Sequence, residues 1–172
     1  MPEIDPILLK IDKLISISRL KEIAFIIGTD VTERLSKISA VLDGLKAGAY
    51  LLGTGPSTVG IIPLTVDEVV LGRSATTLEK PSEVLIDYAA SDTLYFMPRE
   101  VSRAHAKIVR RLSNLSDFAY WLIDLNSTCG TYVNGSQIDT DSEGTLLSHG
   151  DIISLGPSMI STYIFYLKKE GV

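Results

Sequence analysis

Three short runs of this chain gather groups that donate hydrogen bonds to an anion. Leu71-Gly72-Arg73-Ser74 ends an apolar run on an arginine. Val101-Ser102-Arg103-Ala104-His105-Ala106 sets a hydroxyl beside a guanidinium and an imidazole. Asp124-Leu125-Asn126-Ser127-Thr128-Cys129-Gly130-Thr131 is dense in hydroxyls and carries one amide. Loops that bring Arg73, Ser102, Arg103, Asn126, Ser127 and Thr128 together would make an oxyanion receptor. A phosphate dianion needs several donors and at least one fixed positive charge. Arginine suits it because its planar fork engages two oxygens at once. No glycine-rich loop opens a helix, so a nucleotide P-loop is not expected. Ser102-x-x-His105, with Asp124 downstream, also raises a hydrolase pair. A catalytic histidine must be oriented on its nucleophile, and the nucleophile-elbow pattern is missing. No catalytic residue is assigned.

The second part of the chain, which carries these residues, reads as short strands. The candidates are 60–64, 68–73, 84–87, 104–112, 119–125, 131–133, 151–155 and 161–167. Val, Ile, Tyr and Phe are dense in them, and Gly, Ser, Asn and Asp separate them. Asn134-Gly135, between Tyr132-Val133 and Gln137-Ile138, is the strongest hairpin signal. Many short strands at this spacing predict a sandwich or a barrel. Trp121, Ile123 and Leu125 alternate along one strand face and are expected in the core. Lys107 and Arg111 are expected on a solvated face.

The first part reads as helical. Asp5-Pro6 combines an N-cap with a proline at the first helical position. The apolar run 23–27 continues that helix or forms a buried strand. Val31, Leu35, Ile38, Leu42, Leu45, Ala49 and Leu52 then form an a/d stripe. That stripe packs on its own chain or joins a partner. Residues 53–60 hold three Gly and one Pro and read as a linker or a broad turn. The expected division is therefore a helical segment over 1–52, a linker over 53–60 and a β domain over 61–172.

Composition fits a globular protein: 172 residues, 45% hydrophobic and 22% charged. Residues 1–60 carry seven basic and seven acidic residues. Residues 61–172 carry nine and fourteen, so the net charge of −5 sits in the second part. Binding of nucleic acid by charge alone is not expected. Five of those nine cations are Arg99, Arg103, Lys107, Arg110 and Arg111, gathered beside the hydroxyl-rich runs. No apolar run is long enough to span a membrane, and the single cysteine makes neither an internal disulfide nor a cysteine zinc site. A cytoplasmic protein without cofactor or metal is expected.

In order, Gly72-Arg73, Ser102-x-x-His105, Ser127-Thr128-x-Gly130-Thr131-x-x-Asn134-Gly135 and Gly150-Asp151-x-Ile153-x-Leu155-Gly156 resemble the forkhead-associated (FHA) domain over residues 60–168. The resemblance implies an antiparallel β-sandwich, here with an N-terminal helical segment. It implies a module that binds phosphothreonine peptides through its apical loops and is not an enzyme. Arg73 resembles the arginine that contacts the phosphate, and Ser102 the loop serine that shares it. Arg103 matches a position that helps hold phosphate or peptide. His105 resembles the histidine that braces the serine loop, and Thr128 lies in the loop that closes the site. Gly72 and Gly130 support the loops. Asn134-Gly135 and Gly150-Asp151 resemble the family's structural turns.

Two departures stand out. Cys129 occupies the place where the family has an asparagine that holds the peptide backbone. Asn126 is the candidate to compensate. Arg73 and Ser102 lie 29 positions apart, more than is usual in the family. The expected function is phosphothreonine-dependent protein recognition in signalling. The alternative is a phosphate-independent scaffold that forms a homo-oligomer, or docks a partner, through residues 5–52.

Overall fold

The computed structural model describes residues 5–11, 30–54, 58, 60–73, 88–90, 100–113 and 117–169. Among the described residues two helical segments come first: α1 over residues 6–11 and α2 over Val31–Asp43. Strands β1 (Gly48–Gly53), β2 (Gly60–Pro63), β3 (Glu68–Arg73) and β4 (Tyr88–Ala90) follow. Then come β5 (Ala106–Leu112), β6 (Phe118–Asp124), β7 (Thr131–Val133) and β8 (Ser136–Gln137). The last are β9 (Thr145–Leu146), β10 (Ile152–Leu155) and β11 (Thr162–Lys168). They form a six-stranded sheet, β2-β1-β11-β10-β7-β8, and a five-stranded one, β4-β3-β5-β6-β9. All described pairings are antiparallel except β3–β4. The architecture is the expected sandwich with helices at its N-terminal side.

The inner faces of both sheets meet in one core that includes Leu51, Leu71, Ile108, Leu122, Ile153 and Phe165. Strand β11 is buried on both of its faces. Tyr163 and Phe165 point into that core, while Ile164 and Tyr166 point outward and meet Ile7, Ile11 and Leu42 of the helices. A strand covered twice reads as a continuous apolar run rather than an alternation.

Local signals explain the helix starts. Asp5 accepts a hydrogen bond from the Ile7 N–H at 2.9 Å, as an N-cap ahead of Pro6 should. Asp30 caps α2 by position without a side-chain bond. Glu33 of α2 pairs with Lys37 one turn on, at 2.6 Å.

Several expectations are corrected. The a/d stripe does not continue to Leu52 as helix: α2 stops at Asp43, and residues 48–53 are β1. Ala49 and Leu51 face the inter-sheet core, whereas Tyr50 and Leu52 face the helices. A strand with both faces covered satisfies helical spacing by accident. Sheet pairing therefore begins at Gly48, and the glycine-rich 53–60 stretch joins β1 to β2, with Gly53 opposite Gly60. Residues 55–57 and 59 of it lie outside the described residues, as do the 23–27 run and the candidate strand 84–87. Of the stripe itself, Leu35 and Leu42 are buried while Val31 is exposed.

Trp121 and Ile123 are not in the core. Tyr120 and Leu122 are, and Trp121 lies half-buried on the outer face with the Arg111 guanidinium 5.4 Å from its ring centroid. Both faces of β6 carry apolar residues, so alternation alone does not choose the inward one. Arg111 is exposed, and Lys107 lies half-buried and pairs with Glu68 at 3.0 Å. No helix among the described residues is long and apolar enough to cross a membrane.

Candidate functional site

Arg73 is the last residue of β3, at the point where pairing with β5 gives out. Beyond it the serine loop takes over. The Arg73 N–H donates to the Ser102 carbonyl at 2.9 Å, and the His105 N–H donates to the Leu71 carbonyl at 2.9 Å. The guanidinium-bearing residue and the serine are thus backbone neighbours, although far apart in sequence. Arg73 is largely buried, which is unusual for an arginine.

His105 is fully buried at the centre of the arrangement. Its Nδ1 accepts the Ser102 N–H at 3.0 Å. That atom therefore carries no proton, and Nε2–H donates to the Gly130 carbonyl at 3.1 Å. Burial lowers its pKa below the usual histidine value, against the opposing pull of that carbonyl and of Asp124 and Glu100. At neutral pH the ring is an uncharged brace between two loops, not a base. The Gly130 carbonyl accepts a second hydrogen bond from the Gly156 N–H at 3.0 Å. Gly130 itself has φ +80°, and a Cβ there would lie 2.4 Å from the Gln137 amide.

The loop over residues 125–130 meets Ser102 from the other side. The Thr128 N–H donates to Ser102 Oγ at 3.1 Å. Every polar group of Ser102 is then engaged except one. Its N–H is given to His105, its carbonyl receives Arg73, and its Oγ receives Thr128. Among the described residues its hydroxyl hydrogen has no acceptor. The site presents a donor pre-aimed by three contacts, next to an arginine.

Asp124, the last residue of β6, ties this loop at both ends. One carboxylate oxygen accepts the Ser127 N–H at 2.8 Å. The other accepts Ser127 Oγ at 2.6 Å and the Thr131 hydroxyl. Burial pushes the Asp124 pKa up, but the hydrogen bonds from Ser127 and Thr131 outweigh it, and the carboxyl stays below the ordinary value. Sequence reasoning considered Asp124 only as a third triad member. The signal for its actual contacts was Asp124 followed three residues on by Ser127, a local side-chain-to-backbone contact.

The remaining expected residues divide. Arg103, Asn126 and Thr128 are exposed, Asn126 with φ +59°, and Cys129 is half-buried with a free thiol. Among the described residues, neither Arg103 nor Asn126 is hydrogen-bonded to Ser102. Asn134 and Gly135, at φ +51° and +83°, form a type I′ hairpin turn between β7 and β8. The Asn134 amide donates to Asp151 at 2.8 Å and accepts the Ile152 N–H at 3.0 Å, clasping the Gly150-Asp151 turn. These residues hold the fold and stand apart from the donors.

The FHA-domain family model matches residues 69–156. The chain belongs to the forkhead-associated family. Its FHA domain shares its fold with solved structures at low identity. The yeast Pml1 splicing factor is 19% identical with a TM-score of 0.57, over 76% of this chain and 89% of that one. The FHA domain of CT664 protein from Chlamydia trachomatis is 20% identical with a TM-score of 0.50, over 70% and 98%. The MEK1 FHA domain, solved in complex with a HOP1 phosphothreonine peptide, is 21% identical with a TM-score of 0.50, over 72% and 100%. No curated protein sequence matches the chain.

Proposed function

We propose that this FHA domain is a reader of phosphothreonine in partner proteins, acting in phosphorylation signalling as an adaptor rather than an enzyme. The observation that carries the reading is Ser102, held by three fixed contacts beside Arg73, with a hydroxyl hydrogen that has no acceptor among the described residues. Phosphorylation gives a threonine about −1.5 to −2 charges and three acceptor oxygens. Arg73 supplies the fixed charge and Ser102 the hydroxyl donor. Arg103 and Thr128 contact the phosphate edge or the peptide, and Asn126 stands in for the backbone contact that Cys129 cannot make. A cysteine is a weak donor and acceptor. Losing one such bond weakens affinity by about 2- to 13-fold without abolishing it. The structure solved with a phosphothreonine peptide supports this reading by family membership. A cytoplasmic setting, with neither nucleic acid nor membrane as partner, fits the acidic composition and belongs to the same reading.

The test is direct binding of the whole chain to a phosphothreonine peptide library, with unphosphorylated and phosphoserine copies alongside. Selective capture of phosphothreonine, lost in Arg73→Ala, is the expected result. Equal capture of all three forms overturns the reading.

A second reading, assembly through the helical side, is favoured by one observation. Helix α2 leaves Val31 and Val41 exposed, and Val41 borders an apolar groove of about 300 Å³ shared with Ile38, Leu52 and Ile61. Light scattering on the whole chain, compared with Val41→Asp, tests for a homo-oligomer. A monomer in both removes this reading.

A further inference from the structure

A carboxylate beside a phosphate site repels the ligand, so Asp124 needs a reason to be there. Its burial and its three acceptor contacts within eight residues of sequence supply one. Residues 125–130 must leave β6, turn back, and return to β7. The Asp124 carboxylate grips this loop near its start, at Ser127, and at its exit, at Thr131. The exit contact is sealed, since Thr131 is fully buried. At the entrance Asn126 takes the left-handed conformation that turns the Ser127 N–H back onto the carboxylate. The next N–H along, that of Thr128, is the one that reaches Ser102 Oγ. Two independent ties also anchor the region to the serine loop: the Leu125 N–H donates to the His105 carbonyl at 2.9 Å, and His105 Nε2–H donates to Gly130.

We propose that Asp124 is a positioning residue of the recognition site, which acts through the Thr128 N–H to set the direction of the Ser102 hydroxyl. This rests on the phosphothreonine reading above. The chemistry requires an ionised carboxylate in particular. All three partners can donate, and a carboxylate only accepts. An asparagine has the same shape but turns one acceptor into an N–H₂ group. With its oxygen on the Ser127 N–H, that group faces the Ser127 and Thr131 hydroxyls, which must turn to accept from it, and the hydrogen of the fully buried Thr131 hydroxyl then loses its acceptor. Once Thr128 donates to Ser102 Oγ, the hydroxyl hydrogen is driven away from that contact and outward. A loosened loop would leave the hydroxyl free to rotate, and part of the donor's pre-aiming would be lost.

The experiment uses the full chain and two readouts. The first is hydrogen exchange of the Thr128 and Ser127 amides by NMR, which needs no ligand. The second is affinity for a phosphothreonine peptide drawn from the library, measured for the original chain, Asp124→Asn, Ser102→Ala and the double variant. Asp124→Asn is expected to raise Thr128 exchange and to weaken binding by about 2- to 13-fold. In the Ser102→Ala background the same change is expected to alter affinity less than about twofold, because the group it acts through is gone. Equal losses in both backgrounds overturn the proposal, as does unchanged Thr128 exchange. If no phosphopeptide binds the original chain, the phosphothreonine reading fails, and the exchange data alone decide whether Asp124 holds Thr128 on Ser102. Should Asp124→Asn fail to fold, Ser127→Ala and Thr131→Val each remove one donor to the carboxylate. Faster Thr128 exchange in either one upholds the claim, and native exchange in both overturns it.

Discussion

The helical side of this domain and its loop end are built from opposite materials. On the helical side, Ile7, Ile11 and Leu42 cover Leu52, Ile164 and Tyr166 of the six-stranded sheet, and shape is the main constraint. At the loop end, a buried histidine and a buried carboxylate are each satisfied by named donors and acceptors, and direction is the constraint. Apolar burial contributes stability roughly in proportion to area and is indifferent to angle. Hydrogen bonds contribute less net energy each but fail when misaligned. One side therefore keeps the sandwich together, and the other keeps a hydroxyl pointed.

Substitutions should separate the two. The largest effect is expected from Ile164→Ala, which empties a fully buried position under the helices. It should cost about 2–5 kcal/mol of unfolding free energy by denaturant titration. Phosphopeptide affinity of the folded fraction should be unchanged. A parallel loss of affinity would show that the two sides are coupled.

Arg73→Ala should do the reverse. It is expected to weaken phosphothreonine-peptide binding about 10- to 150-fold by calorimetry, the range for one charge-assisted partner. Its circular dichroism should stay native. Retained affinity would remove Arg73 from the site.

Acid should act on the loop end through stability. The chain has two histidines, and lost hydration lowers both pKa values below the ordinary 6.5, through full burial of His105 and partial covering of His149. In the unfolded chain each takes up a proton near that value, while in the folded domain each resists. Their contribution is therefore fully present above about pH 6.5. It is lost as pH falls from there through the folded-state values. Melting temperature should drop between pH 7.5 and 5.5. His149 is exposed and His105 fully buried, so His149→Gln should keep most of that drop. Its disappearance in that variant would assign the effect to the helical side, where His149 lies against Tyr166.

The smallest effect is a gain. Cys129→Asn should raise affinity about 2- to 13-fold if the missing backbone contact is restored. No gain in a fluorescence titration would point to Asn126 as the group already making it.

What the sequence disclosed follows the range of each interaction. The Asn134-Gly135 turn was legible because two adjacent residues determine it. Strands β3 and β7 were legible because turn residues bracket them. The inward face of β6 was not, since Trp121 and Ile123 are as apolar as Tyr120 and Leu122. Strand β1 was hidden for a related reason: a doubly covered strand carries apolar residues at every register, including a helical one. The site was legible as a set of donors but not as a geometry. Thr128 and Ser102 meet across 26 positions, and no local rule connects them. The family pattern ordered the motifs without giving the contacts of Asp124, which lie in its own loop.

The order of the six-stranded sheet also sets a schedule for making the protein. Strand β1 lies beside β11, so Thr54 meets Thr162 across 108 positions. Until β11 has left the ribosome, β1 has no partner on that side, and both apolar clusters lack their central strand. Tyr163 and Phe165 are missing from one and Ile164 and Tyr166 from the other. The five-stranded sheet, with its nearer pairings, can form first. The nascent chain must carry an incomplete sandwich until its last strand arrives and closes both clusters in one step.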